Sequence, residues 1–141
     1  MISENRLKKY DCSTVHYASG DFIYEENAIC YGYFQIISGK VKLNNYSEDG
    51  KEFIQNTFGA SQGFGEVLLF VNKKYPTNAI ALTDCNIVQI PAKEFFMLLN
   101  EHPEYALEII KNLSQRLYYK MIMPQHISQN SAFCDSLNNW F

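Results

Sequence analysis

The sequence has no long apolar run. No stretch approaches the ~20 consecutive apolar residues that a membrane-spanning helix needs, so a membrane protein is not expected. The start, MISENRLKKYDCSTVHY, has no apolar run after its charged residues and is unlike a secretory signal. We therefore expect a cytoplasmic protein with no membrane partner.

Charged residues are few, and positive charge is scarcer than negative charge. The 141 residues include 12 Lys and Arg against 15 Asp and Glu, which gives a net charge of -3. Non-specific nucleic-acid binding needs clustered Lys and Arg, so this composition is unfavourable to it. Because 47% of the residues are hydrophobic and only 19% are charged, the chain can bury the core of one compact domain.

Metal-binding spacings are also missing. The four cysteines lie at least eighteen positions apart, and the three histidines are equally scattered. The sequence contains no Cys-x-x-Cys, no His-x-His and no His-Glu-x-x-His. Reduced, mostly buried thiols are the expected state of the cysteines. We expect no metal, no cofactor and no metal-dependent catalysis.

The first ninety residues contain short β-prone runs that are separated by turn residues, which is typical of an antiparallel β protein. Val41 and Leu43 alternate with polar residues, which predicts a strand with one apolar face. Asp49-Gly50 predicts a type I′ hairpin turn, in which both central residues have positive φ. Many short strands in a small domain favour a barrel or jelly roll.

The period changes at Pro91. The segment PAKEFFMLLNEHP predicts a short helix with Phe95, Leu98 and Leu99 on one face. Pro103 is expected to open a second helix. Pro124 should end or kink that helix, because proline lacks the N–H group of the helical hydrogen bond. The sequence thus divides into residues 1–102, a helix over residues 103–123 and a tail over residues 124–141.

One apolar stripe runs along the second helix, with spacings of four, three, four and four residues, close to those of a coiled-coil seam. It consists of Ala106, Ile110, Leu113, Leu117 and Met121. The stripe can pack on the barrel of its own chain or form a homodimer interface. Further apolar residues outside the stripe, Leu107, Ile109 and Tyr118, make the homodimer at least as favourable an interpretation.

Several segments, in this order and spacing, resemble the cyclic-nucleotide-binding sensor domain of the CRP/FNR family of bacterial transcription regulators. They are ISGKVKL followed by SEDGKEF, then FGEVLLF, then ALTDCNIVQIPAKEFFMLLNEHPEYA. The resemblance covers roughly residues 10 to 123. It implies a double-stranded β-helix (jelly-roll) barrel over residues 1–102 and a dimerisation helix over residues 103–123.

The resemblance also implies a ligand site. Gly65 would begin a short helix whose backbone N–H groups face a phosphate, and Glu66 takes the place of the ribose-binding carboxylate. Alternatively, Glu66 is a structural carboxylate at the start of a short helix. The candidate ligand-binding residues are Phe64, Gly65, Glu66, Val67, Leu68, Tyr75, Thr77 and Asn78.

The chain departs from the family at the two positions that bind the cyclic phosphate. Cyclic-nucleotide binders have an Arg followed by a Ser or Thr there, and the resemblance aligns them with Tyr75 and Pro76. Tyrosine carries no positive charge at neutral pH, and proline offers neither a hydroxyl nor an N–H group. Lys73 and Lys74 could replace the Arg, although a lysine pair in a loop is more often solvated. We therefore expect cyclic AMP to bind weakly or not at all.

The resemblance implies an effector-sensing, dimerising regulatory domain whose effector the sequence does not name. The alternatives are a structural interaction domain with a degenerate pocket, and a sensor of haem or another small molecule, with His16 or Cys12 as iron ligands. A jelly-roll enzyme of the cupin kind would need a His-x-His, so we expect no enzyme. The eighteen residues after Met123 are too few for a helix-turn-helix. Any DNA contact would need a C-terminal domain that this chain lacks.

Overall fold

A computed structural model describes residues 2–127 of the chain. The tail predicted over residues 124–141 lies almost entirely outside these described residues. The chain divides into two compact units, the first ending at Glu101 and the second beginning at His102. The first unit carries the strands, and the second carries one long helix.

The described residues form eight strands and four helices. The strands are β1 (Ser13–Tyr17), β2 (Phe22–Tyr24), β3 (Gly32–Ser38), β4 (Val41–Tyr46), β5 (Glu52–Phe58), β6 (Gly63–Phe64), β7 (Asn78–Ala81) and β8 (Cys85–Pro91). The helices are α1 (Glu4–Leu7), α2 (Glu66–Val71), α3 (Ala92–Glu101) and α4 (Pro103–Ile127). The prediction of a mainly β protein with C-terminal helices is confirmed.

The strands form two four-stranded antiparallel sheets. One has the order β1-β8-β3-β6 and the other has the order β2-β7-β4-β5. The short helix α2 follows β6 directly and precedes the loop that leads to β7. Gly65 thus directly precedes a short helix that begins at Glu66, as the resemblance implied.

The alternation predicted for β4 determines which residues face the core. Val41 belongs to the core cluster and the partly buried Leu43 packs against it, and the two residues pair with Ala81 and Ala79 of β7. Asn44 alternates with Leu43 and is fully buried on the other face. Its side-chain amide donates to Glu52, which also forms an ion pair with Lys42.

The turn between β4 and β5 differs from the predicted one. The backbone N–H of Gly50 donates to the carbonyl of Ser47 at 2.9 Å, which closes a turn over residues 47–50. Only Gly50 has a positive φ, of 83°, so Asp49 is not in the left-handed region. The type I′ prediction is therefore wrong. The loop is a longer one, in which a single left-handed glycine follows the turn.

The two predicted C-terminal helices are present as α3 and α4, and α4 continues beyond Pro124. Phe95, Leu98 and Leu99 are buried on one face of α3, as the periodicity predicted. Pro103 opens α4 as predicted, and α4 extends to Ile127, so the helix does not end at Pro124, which was one of the two outcomes expected there. A proline removes one helical hydrogen bond, and a long helix can continue after that loss. None of the described helices is long and apolar enough to cross a membrane.

Candidate functional site

The candidate ligand site begins at the N-terminus of α2. Gly65 precedes the helix with φ 87°, a left-handed conformation that strongly favours glycine. A Cβ atom at Gly65 would lie 3.0 Å from the ring of Phe34 and 3.2 Å from the carbonyl oxygen of Gly32. The need for glycine here is therefore explained by backbone conformation and core packing, without any ligand.

Aromatic rings fill the space beside α2. Phe64 is buried and stacks on Phe34, with ring centroids 5.1 Å apart, and on Phe58, with centroids 5.8 Å apart. The ring of Tyr24 lies 5.7 Å from that of Phe34 and 6.2 Å from that of Phe64. We call the rings of Tyr24, Phe34, Phe58, Phe64 and Tyr75 the aromatic cluster.

Tyr75, which stands where the family's cyclic-nucleotide binders have an arginine, belongs to this cluster. Its side chain is 1% exposed. Its ring stacks on Tyr24 at a centroid distance of 3.6 Å and an interplanar angle of 6°. The Tyr75 hydroxyl accepts a hydrogen bond from the backbone N–H of Tyr31 at 3.0 Å. The position therefore holds a neutral, buried ring in place of a cation.

The other predicted ligand-site residues have varied surroundings. Glu66 is buried at the start of α2, and Leu68 packs against the core, whereas Val67 is exposed. Thr77 is half-buried and hydrogen bonded to Tyr24. Their contact with a ligand remains a prediction.

Asn78 is engaged within the protein. It is buried, and its Oδ1 atom accepts a hydrogen bond from the backbone N–H of Glu26 at 2.8 Å. Its Nδ2 atom donates to Asn44 Oδ1 at 3.2 Å. Since it alternates with the core residue Ala79, it lies on the face of β7 away from the aromatic cluster.

The alternative cations and iron ligands lie outside the cluster. Lys73 and Lys74 are exposed in the loop before Tyr75. His16 is exposed on β1, and its Nδ1 atom lies 3.2 Å from Asn86 Oδ1. Within residues 2–127, no group of three or more His, Cys, Asp or Glu side chains is arranged to hold a metal ion.

Burial controls the protonation of the stacked pair. Burial raises the pKa of Tyr75 to about 12, and burial followed by the adjacent Tyr75 hydroxyl raises the pKa of Tyr24. Because the folded state holds these protons more tightly than the unfolded state, their contribution to stability is complete below about pH 10. The contribution of Tyr75 is lost as the pH rises through its folded-state pKa of about 12, and that of Tyr24 is lost at higher pH.

We expect Tyr75→Phe to weaken this alkaline loss of stability, since phenylalanine has no proton to lose. Urea unfolding midpoints measured from pH 8 to pH 11 should fall less steeply in this variant than in the wild type. Tyr46→Phe, at a half-exposed tyrosine on β4, is the matched control and should keep the wild-type slope. Equal slopes for all three proteins would show that Tyr75 ionises as an ordinary tyrosine.

The predicted dimer residues lie on α4. Ile110, Leu117 and Met121 are 58%, 41% and 47% exposed, and Ala106 and Leu113 are half-buried. Leu107 and Tyr118, outside the stripe, are also exposed. The helix thus presents apolar side chains over a broad part of its surface.

The sequence analysis did not identify Tyr24, one of the two stacked rings. Tyr75 was identified from the register of the resemblance, but Tyr24 was not identified as part of the site. Its position follows from the pairing of β2 with β7, in which Tyr24 lies opposite Ala79. A tyrosine in a short β-prone run gives no signal of a partner so distant in the chain.

Comparison with known proteins identifies the domain. Residues 14–102 match the cyclic nucleotide-binding domain family. The cAMP-activated global transcriptional regulator CRP of Haemophilus influenzae is 32% identical over 85 residues, which are 60% of this chain and 38% of that protein. The chain thus spans well under half of that relative's length.

Two solved structures have a similar fold. The Thermus thermophilus catabolite activator protein matches with a TM-score of 0.74 at 20% identity, over 86% of this chain and 58% of that chain. The sensor domain of the transcriptional regulator DNR from Pseudomonas aeruginosa matches with a TM-score of 0.71 at 21% identity, over 90% and 87% of the two chains. These matches confirm the jelly-roll prediction. The chain belongs to the cyclic nucleotide-binding domain family, with CRP-type transcription regulators among its relatives.

Proposed function

We propose that this chain is the effector-sensing, dimerising regulatory domain of a CRP/FNR-type transcription regulator, and that it does not bind cyclic AMP tightly. The observation that carries the proposal is the burial of Tyr75 against Tyr24, at the position where cyclic-nucleotide binders have an arginine. Family membership supports a sensing role, and the Tyr75 side chain opposes a phosphate ligand.

Electrostatics explains why a cyclic phosphate is disfavoured. A phosphate that leaves water needs a cation or several hydrogen bonds to offset its desolvation. The position of the arginine is occupied by a neutral ring whose hydroxyl already accepts a hydrogen bond from Tyr31.

The exposed stripe of α4 supports the dimer. Apolar side chains at coiled-coil spacing gain about 25 cal/mol for each Å² that a partner removes from water. A second copy of α4 would cover Ile110, Leu117 and Met121 at once. This arrangement is the homodimer that we propose for the whole chain.

We expect the 141 residues alone to bind no specific DNA site, because their net charge is -3 and sequence-selective binding uses phosphate contacts from Lys and Arg. DNA recognition by the proposed regulator would be carried out by a separate domain. A gel-shift titration with a random DNA library checks this expectation. Nanomolar, sequence-selective binding by this chain would contradict it.

A structural interaction domain with a closed pocket is the second candidate, and the same burial of Tyr75 favours it. A thermal-shift screen of metabolites separates the two functions. An effector present at 100 times its dissociation constant stabilises the folded state by about 2.7 kcal/mol, which is readily measured. We expect cyclic AMP and cyclic GMP to leave the melting temperature unchanged and a different compound to raise it. A complete metabolite screen without any stabilising compound would favour the closed interaction domain.

A further inference from the structure

The loop between β2 and β3 is bound to the segment that contains Tyr75. We call residues 25–31 the β2–β3 loop. The Tyr75 backbone N–H donates to the carbonyl of Ala28 at 3.0 Å, and the Tyr75 carbonyl accepts from the N–H of Asn27 at 2.8 Å. The Cys30 thiol donates to the carbonyl of Lys73 at 2.9 Å. The two segments are therefore connected through the backbone N–H and carbonyl of Tyr75 and through the carbonyl of Lys73.

The Tyr75 side chain adds a separate pair of contacts. Its ring covers one face of Tyr24, and its hydroxyl is the acceptor for the Tyr31 N–H, at the end of the β2–β3 loop. The ring therefore lies against an aromatic wall, and its hydroxyl lies beside the backbone N–H groups of Tyr31 and Gly32 and the Cys30 thiol. The space that the ring occupies fits a planar phenol, and Tyr75 supplies that phenol from within the chain.

The environment of the ring also selects against charge. The ring is 1% exposed, Phe34 and Phe64 belong to the same cluster of buried residues, and the partly buried Tyr24 packs against that cluster. Burial raises the pKa of Tyr75, so the site favours the neutral form of a phenol over the anion. An occupant of this space would have to be uncharged and planar, and to offer an acceptor to the Tyr31 N–H.

We propose that Tyr75 is the resident ligand of this domain, and that the effector is an uncharged planar aromatic compound with a hydroxyl or carbonyl oxygen, which displaces the Tyr75 ring from Tyr24. Displacement releases the side-chain contacts of Tyr75 with the β2–β3 loop, and this release is the regulatory change. The inference rests on the proposed sensing function and specifies its ligand class.

Amide hydrogen exchange tests the role of the hydroxyl. In Tyr75→Phe the stacked ring is kept and the acceptor for the Tyr31 N–H is lost. The exchange rate at Tyr31 should rise about fivefold or more, which corresponds to the loss of one ordinary hydrogen bond. The Glu26 amide, which donates to Asn78, is the internal control and should be unchanged. An unchanged rate at Tyr31 would overturn the proposal.

Chemical rescue tests the ligand class. Tyr75→Ala should leave an apolar space that p-cresol, the side-chain analogue of tyrosine, can enter. We expect p-cresol to raise the melting temperature of Tyr75→Ala and to restore the protection of the Tyr31 amide. Toluene, which lacks the hydroxyl, should raise the melting temperature less and restore no protection at Tyr31. Tyr46→Ala is the control and should respond to neither compound.

Two rescue results would overturn the proposal: equal effects of p-cresol and toluene, or no effect of either on Tyr75→Ala. If Tyr75→Ala does not fold even with p-cresol, the exchange rate at Tyr31 in Tyr75→Phe decides the question. These readouts are independent of cyclic AMP. The resident-ligand proposal can therefore fail while the wild type still rejects cyclic AMP, and a wild type that binds cyclic AMP at micromolar concentration would instead refute the proposed function.

Discussion

Replacing Leu113 and Leu117 by glutamate should convert the proposed homodimer into a monomer. Both residues lie on the apolar stripe of α4, and two copies would lose four leucine contacts and gain four like charges. Since both leucines are partly buried already, covering the rest of each contributes less than the ~1.5 kcal/mol of full burial, and dimerisation should weaken by about 10²-fold or more. Light scattering coupled to size-exclusion chromatography measures the mass directly.

The matched control places the same charges on another side of the helix. Asn112→Glu with Gln115→Glu adds two carboxylates at exposed positions outside the stripe, and this variant should remain dimeric. A wild type that is monomeric at high concentration would show that α4 does not form the interface. Monomers from both double variants would show that added charge alone, at any position on α4, prevents assembly.

Tyr75→Arg combined with Pro76→Ser should create affinity for cyclic AMP. The guanidinium can donate two hydrogen bonds to the cyclic phosphate, and charged hydrogen bonds contribute about 1.5–3 kcal/mol each. The affinity for cyclic AMP should be about tenfold to a hundredfold higher than that of the wild type. Calorimetric titration of both proteins measures the difference.

The control for this variant separates the effect of adding a cation from the effect of removing the buried ring. Tyr75→Gln with Pro76→Ser also removes the buried ring but supplies no cation, so it should gain little affinity. Equal gains in both variants would show that removal of the ring is sufficient to open the pocket. No gain in the arginine variant, with folding confirmed by its melting temperature, would show that the pocket stays closed to a nucleotide.

Much of the fold could be predicted because its signals are local. Alternating Val41 and Leu43 identify the core face of β4, and Phe95, Leu98 and Leu99 identify the buried face of α3. Pro103 is the first residue of α4, as its preference for the first helical turn predicts. Each of these features depends on residues within a few positions of one another, so the sequence pattern reports it directly.

The errors arose where a local signal permits more than one outcome. Asp49-Gly50 is compatible with a type I′ turn and with a longer loop that ends in a left-handed glycine, and the structure has the second. Pro124 disfavours a continuous helix without forbidding it, and α4 extends past it. Local residue preferences alone do not decide between such alternatives.

The site was less predictable than the fold because its main contact is long-range. The resemblance placed Tyr75 in the arginine position, but its stacking partner Tyr24 belongs to a different strand. The buried Asn44 was equally unexpected, since a polar residue on the outer face of a strand is ordinarily solvated. Its burial depends on Glu52 and Asn78, which come from two neighbouring strands.

The dissociation constant of the wild-type chain for cyclic AMP, measured by isothermal titration calorimetry, tests the central claim most directly. The claim is that the buried Tyr75 ring replaces the cation that a cyclic phosphate requires. We predict no saturable binding at micromolar concentrations of the nucleotide. A micromolar dissociation constant with one site per chain would contradict the claim. It would show that another cation, such as Lys73 or Lys74, binds the cyclic phosphate in place of the arginine.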